Sequence, residues 1–160
     1  MSDLQVSQSE NTLVFTKTLH APRELVFAMF KNPENLEKWW GPEHWPATIK
    51  SFDFTPGGVW HYYMTGPDGT KAWGKATFEE IDEPNSITYF DAFSDENGNI
   101  DESLPQAKST ITFSETDGQT TLLTITGTYK TVDEAKKVIA MGMVEGLTDT
   151  LGQLERLLVA

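Results

Sequence analysis

The chain has no cysteine among its 160 residues. That removes disulfides, thiolate nucleophiles and Cys-type zinc sites together, and it fits a reducing, cytoplasmic compartment. Long apolar runs are missing too: no window approaches the roughly 18 consecutive apolar residues of a membrane span, so no insertion into a bilayer is expected. The opening residues, 1–10, have neither the basic flank nor the apolar stretch of a signal peptide. Residues 1–11 are therefore expected to be a polar lead-in, and 12–160 one domain. Positive charge is scarce: 12 Lys and Arg stand against 24 Asp and Glu, a net charge of −12. Such a surface repels phosphate backbones and anionic lipid, so no nucleic-acid partner is expected. It favours solubility and attracts cations.

Several catalytic signatures are also absent. The histidines are His20, His44 and His61, and none has H-x-x-x-H or H-E-x-x-H spacing, so no metal is expected. Residues 95–101 (DENGNID) superficially resemble a calcium loop. Ile100, however, stands where that loop needs Gly, and Gln106 where it needs a bidentate Glu. There is no G-x-S-x-G and no glycine-rich phosphate loop. No catalytic residue and no cofactor are assigned.

What is present is periodicity. Residues 12–20 carry Leu13, Phe15 and Leu19 on one parity, the pattern of a half-buried strand. Pro22 starts a short helix with Leu25, Val26, Met29 and Phe30 on one side, and Pro33 opens a second through Trp39 and Trp40. Strands are predicted over 47–54, 59–65, 70–82, 86–94, 107–115 and 119–129, separated by turn residues such as Gly66-Pro67-Asp68-Gly69. A long helix is predicted near 132–157. Thr131 and Glu134 form a capping pair, and Ala135, Ile139, Met143, Gly146, Leu147, Thr150, Leu154 and Leu157 form an apolar stripe. Strands in a run with helices at the ends mean α+β. The expected architecture is a curved seven-stranded antiparallel sheet around the C-terminal helix, with two short helices after strand one.

Ordered along the chain, Ala21-Pro22-Arg23-Glu24-Leu25-Val26-Phe27, Asn32-Pro33-Glu34, Trp39-Trp40-Gly41-Pro42, Pro56-Gly57-Gly58-Val59-Trp60, Gly66-Pro67-Asp68-Gly69 and Gly74 form a set. With Gly146-Leu147, Leu154 and Leu157 it resembles the START-like, or SRPBCC, helix-grip superfamily. Within it the chain is similar to the family named after the C-terminal domain of the activator of heat-shock protein 90 ATPase. The acidic segment 95–105 looks long for that family. The resemblance implies a cavity between the concave sheet and the helix. It implies ligands of the sterol, lipid, polyketide or natural-product kind, and in some relatives cyclase activity.

Large side chains on the expected inner face are the candidate ligand-binding residues: Trp60, Tyr62 and Met64 on one strand, and Tyr89, Asp91 and Phe93 on another. The helix adds Met143, Gly146, Leu147 and Thr150, with Trp40 as a gate over the mouth. Gly142 and Gly146 lie one turn apart and would leave space, because glycine inside a helix costs about 1 kcal/mol relative to alanine. Apolar walls with a few polar points describe a small-molecule pocket, though the same residues also suit a filled core. The expected function is binding or sequestration of a small apolar or amphipathic molecule. The alternatives are a cyclase- or hydrolase-type enzyme using Asp91 and the tyrosines, and a co-chaperone-like protein-interaction module. A homodimer through a sheet edge or the convex face is compatible with the sequence.

Overall fold

The structure, a computed structural model, describes residues 3–159; Met1 and Ser2 of the expected lead-in and Ala160 lie outside the described residues. The elements run β1 (Gln5–Ser9), β2 (Thr12–Leu19), α1 (Arg23–Lys31), α2 (Pro33–Leu36), β3 (Ala47–Phe52), β4 (Val59–Thr65) and β5 (Lys71–Asp82). They continue with β6 (Ser86–Phe93), β7 (Ala107–Glu115), β8 (Thr121–Tyr129), α3 (Val132–Ala140) and α4 (Met143–Val159). All strands belong to one sheet in the order β1-β2-β8-β7-β6-β5-β4-β3, and every neighbouring pair is antiparallel. The α+β class and the helix-grip arrangement follow the sequence expectation, with two corrections.

First, the described residues form eight strands, not seven. Residues 5–9, expected as part of the lead-in, pair with β2 from Gln5 opposite Thr16 to Ser9 opposite Thr12. All five are exposed, so neither face of this strand carries an apolar alternation for the sequence to reveal. Its stability comes from the β2 backbone edge.

Second, the single helix predicted near 132–157 is two. α3 ends at Ala140 with Met141 as its cap, and Gly142 follows at φ +93°, the left-handed conformation in which glycine commonly stops a helix. The break resets the helical phase. Thr150, Leu151, Leu154 and Glu155 are the buried residues of α4, while Leu157, expected on the stripe, is exposed. The predicted start survives: the Thr131 hydroxyl accepts from the Glu134 N–H at 3.1 Å.

One end of the concave face is solidly filled. Phe27 and Phe30 of α1 meet the Phe113 ring edge-on at 5.1 and 5.2 Å. Trp39 packs on Phe30 at 4.8 Å, and its indole N–H donates to the Met29 carbonyl. α4 crosses this region, tied on one side to the corner before β3. There the Glu43 N–H donates to Asp149 Oδ2 at 2.6 Å and Gln153 Nε2 to the Gly41 carbonyl at 2.7 Å. On the other side Glu155 meets Lys17 of β2 at 3.1 Å, with side chains only 2% and 6% exposed.

This ion pair replaces what the parity of β2 would make another leucine-type contact. Removing one partner from a buried pair costs about 3–5 kcal/mol, whereas replacing both with apolar residues of similar volume is often neutral or better. Lys17→Met and Glu155→Met are each expected to be destabilised on that scale, and the double variant to recover most of the loss. Chemical denaturation of the three proteins checks it, and additive losses would show that the two groups do not act as a pair.

Candidate ligand cavity under the helix break

The other end of the concave face is not filled, and the reason lies in the register. β5 presents Ala72, Gly74 and Ala76 inward, and β7 presents Ala107. The pairings Tyr62–Gly74–Phe93 and Ala76–Asp91–Ala107–Tyr129 run across five strands, so small residues alternate with large ones. The result is a cavity of about 320 Å³. Its floor includes Tyr62, Met64, Gly74, Asp91, Phe93 and Tyr129, and its roof is Val138, Met141, Gly142 and Met143, the residues around the α3–α4 break. Pro105, at the end of the acidic segment, completes the wall.

Of the sequence candidates, Tyr62, Met64, Asp91, Phe93 and Met143 line this cavity. The rest are placed elsewhere. Trp40 is not over the mouth: its ring lies edge-on to Trp60 at 4.7 Å and Tyr62 at 6.1 Å, a layer behind the wall. Trp60 and Tyr89 are buried beside it. Leu147 packs against the core, and the buried Thr150 hydroxyl donates back to the Gly146 carbonyl at 2.8 Å. Gly146 does not open into the cavity either, since a Cβ there would point at Pro42, 3.6 Å away. The helix break rotates this part of α4 away from the position that an unbroken stripe implied. Gly142 supplies the break itself.

Sequence reasoning missed Tyr129, Ala107, Val138 and Gly74. The first three sit at strand or helix positions with ordinary core patterning, and only the cross-strand register brings them together. Gly74 had been read as a family marker. Its role is steric: a Cβ there would lie 2.6 Å from the Tyr62 hydroxyl oxygen and 2.7 Å from the ring carbon bearing it, so the Tyr62 ring lies over bare backbone.

Asp91 is the one charged residue lining the cavity. Desolvation pushes its carboxyl up to about 7, against a hydrogen bond from the Ala92 backbone that favours the ionised form. Burial, and after it the Asp91 charge, raises the phenols of Tyr62, Tyr89 and Tyr129, so all three stay protonated. The Trp40 side chain beside Tyr62 and the Ser109 hydroxyl beside Tyr89 partly oppose that rise. Tyr129 Oη donates to Met143 Sδ at 3.6 Å, joining the floor to the roof. No cluster of His, Asp and Glu suited to a metal occurs among the described residues.

The convex face carries different chemistry. His61, buried on that side, donates from Nε2 to the Asp95 carbonyl at 3.0 Å and lies against Trp73. Lys50 and Lys75 donate to the Glu96 and Gly98 carbonyls. The Asp95 carboxylate accepts from the backbone N–H groups of Asn97 and Asn99. The acidic segment is thus pinned to the back of the sheet, and His61 is separated from Asp91 by the sheet itself.

Two outcomes follow from this geometry. Gly74→Ala overpacks Tyr62 and is expected to cost about 1–3 kcal/mol. Tyr62→Leu in the same chain should relieve part of that loss, and strict additivity in thermal unfolding would contradict the contact. For Asp91, the folded carboxyl binds protons more tightly than the unfolded one, whose value is near 3.8. Between about pH 4 and 7 the folded state therefore holds more protons, and stability falls as pH rises. Asp91→Asn should melt above the parent protein at pH 8, with the gap closing toward pH 4. A gap that widens on acidification would show that the carboxylate, not the acid, is the favoured form.

Residues 20–159 match the family described as Activator of Hsp90 ATPase homolog 1-like protein. Among solved structures, a crystal structure of a Mycobacterium smegmatis protein is 37% identical, with a TM-score of 0.88 over 98% of this chain and 95% of that one. A solution structure from Arthrobacter aurescens is 34% identical, with a TM-score of 0.90 over 97% and 91%. One from Staphylococcus epidermidis is 33% identical, with a TM-score of 0.84 over 96% and 93%. No curated protein matches the sequence significantly. With seven-eighths of its length matched by one family and the helix-grip fold shared throughout, the chain belongs to the Activator of Hsp90 ATPase homolog 1-like family.

Proposed function

We propose that the chain binds and sequesters a small, mostly apolar molecule in the cavity between the concave sheet and the α3–α4 break. The observation that carries this reading is an open volume of about 320 Å³ in a fold whose other end is tightly packed. Ligand pockets run to about 300–1,000 Å³, so the occupant is at the small end of that range. The walls are mainly aromatic rings, thioethers and alanines, with Asp91 and the Tyr62 and Tyr129 side chains among the polar groups. Among the described residues no helix is long and apolar enough to cross a membrane.

An enzyme of the cyclase or hydrolase kind is the second reading, and one observation favours it. A carboxyl held near 7 in an apolar cavity is suited to donate and accept a proton near neutral pH. Against it, His61 lies on the opposite face of the sheet, and the side chains that Asp91 has beside it in the cavity for acid–base work are protonated tyrosines. Binding without chemistry is the better account.

The test is uptake of N-phenyl-1-naphthylamine, a neutral, non-basic dye that fluoresces in apolar surroundings. The parent protein should bind it saturably. Val138→Trp, which places an indole into the cavity from α3, should abolish uptake while keeping cooperative unfolding. Undiminished uptake by that variant would place the dye elsewhere and remove the cavity as the binding site.

A further inference from the structure

We propose that the ligand of this cavity is an organic cation, a protonated amine carried on a small aromatic or aliphatic body, with Asp91 as its counter-ion. The proposal rests on the cavity being the binding site and names the class of molecule it takes. Its basis is an imbalance of charge and geometry. Asp91 is the single charged side chain facing the cavity, and no Lys, Arg or His lines it.

Every element packed around the carboxyl can be checked for a partner. β4 brings Tyr62 and Met64, β5 brings Gly74, β7 brings Ala107, and β8 brings Tyr129. Tyr89, two residues away on β6, is the remaining titratable neighbour. The roof brings Val138, Met141 and Met143. None is a cation. The cationic side chains nearest in strand register, Lys75 beside Gly74 and Lys108 beside Ala107, point to the convex face. There they bond the Gly98 carbonyl and the Glu79 carboxylate.

Glu155, a fully buried carboxylate, is treated differently. Glu155 has its lysine built in at 3.1 Å. Asp91 has none, yet it faces open volume. A carboxylate taken out of water needs a countercharge or a proton. An ammonium ion entering the cavity would supply the charge, and the lining includes the rings of Tyr62, Tyr129 and Phe93, whose faces attract a desolvated cation more than a neutral group. The net charge of −12 raises the local concentration of cations around the whole molecule and speeds their encounter.

An anion would face the same carboxylate with no donor but tyrosine hydroxyls, and would be rejected. A neutral molecule of the same shape would fit, but would leave the carboxyl to be neutralised by a proton.

Three probes that share an indole ring separate these cases in calorimetric titrations: tryptamine (cationic), tryptophol (neutral) and indole-3-acetate (anionic). At pH 8 tryptamine should bind at least tenfold more tightly than tryptophol, and indole-3-acetate should bind least. Asp91→Asn should bring tryptamine and tryptophol to parity while keeping tryptophol binding. In the parent protein the amine stays protonated, as alkylamines do below about pH 10, while Asp91 takes up a proton. Tryptamine affinity should therefore fall by up to about 100-fold from pH 8 to pH 5, with tryptophol unchanged or tighter. This pH series needs no variant.

Tryptophol matching or exceeding tryptamine at pH 8 overturns the proposal, as does a preference for the amine that survives in Asp91→Asn. If none of the indoles binds but the naphthylamine dye does, the cation reading falls and the cavity reading stands. If neither binds, both fall.

Discussion

One helix cannot cover this sheet. Eight strands spaced about 4.8 Å apart span roughly 34 Å before curvature, and a helix with its side chains is only about 10–12 Å wide. The concave face must therefore be closed by other means, and the chain uses different ones at its two ends. Around Phe113 the helix α1 presses the rings of Phe27 and Phe30 into the space that α4 leaves, with Trp39 packed on Phe30. At the far end no such helix is available. The roof is the break between α3 and α4, and the floor is a row in which Gly74, Ala76 and Ala107 alternate with Tyr62, Asp91 and Tyr129. At Gly74 the missing side chain lets the Tyr62 ring lie on the strand backbone, and the alanines beside it leave the rest of the floor open. The cavity is a consequence of side-chain size at a few register positions, on a fold that does not itself require one.

The two buried carboxylates show how the same backbone solves one electrostatic problem twice. Glu155 and Lys17 are held together where the packing is densest, so the cost of burying each charge is met by the other and by α4 being locked to β2. Asp91 sits where packing is loosest. The Ala92 backbone N–H supports its ionised form, and desolvation moves it to about 7. Near neutral pH it is balanced between its two protonation states. A small change in its surroundings, such as an arriving positive charge, tips that balance.

Most of the fold could be read in the sequence because most of it is amphipathic. Leu13, Phe15 and Leu19 declare β2, and Thr131 with Glu134 declares the start of the C-terminal helices. β1 could not be read this way: all five of its residues face water, so its pairing leaves no mark on hydropathy. The helix break was legible only as a glycine, and glycine has several readings. Gly142 stops the helix at φ +93°, whereas Gly146, four residues on, continues it. The backbone dihedral that separates these roles is set by tertiary packing. The candidate site was half legible for a related reason. Parity alone assigns a side chain to a face, and so it found Tyr62, Met64, Asp91 and Phe93. It does not say how far along the sheet the helix reaches, and so Trp60 and Tyr89 were grouped with residues they only sit behind, while Tyr129 and Ala107 were passed over.

The protonation states of the lining determine what the cavity offers a guest. Burial keeps the three tyrosines neutral across the physiological range, so they act as hydrogen-bonding hydroxyls and never as charges. Tyr129 spends its proton on the Met143 sulfur, a weak acceptor that a better one could displace. Tyr62 lies edge-on to Trp40, and its phenol O–H, like that of Tyr129, can donate as well as accept. The site therefore offers hydrogen-bond donors from Tyr62 and Tyr129 and a carboxyl that can become an acceptor-only carboxylate. The occupant that satisfies all three at once carries a positive donor toward Asp91 and an accepting atom toward the phenols.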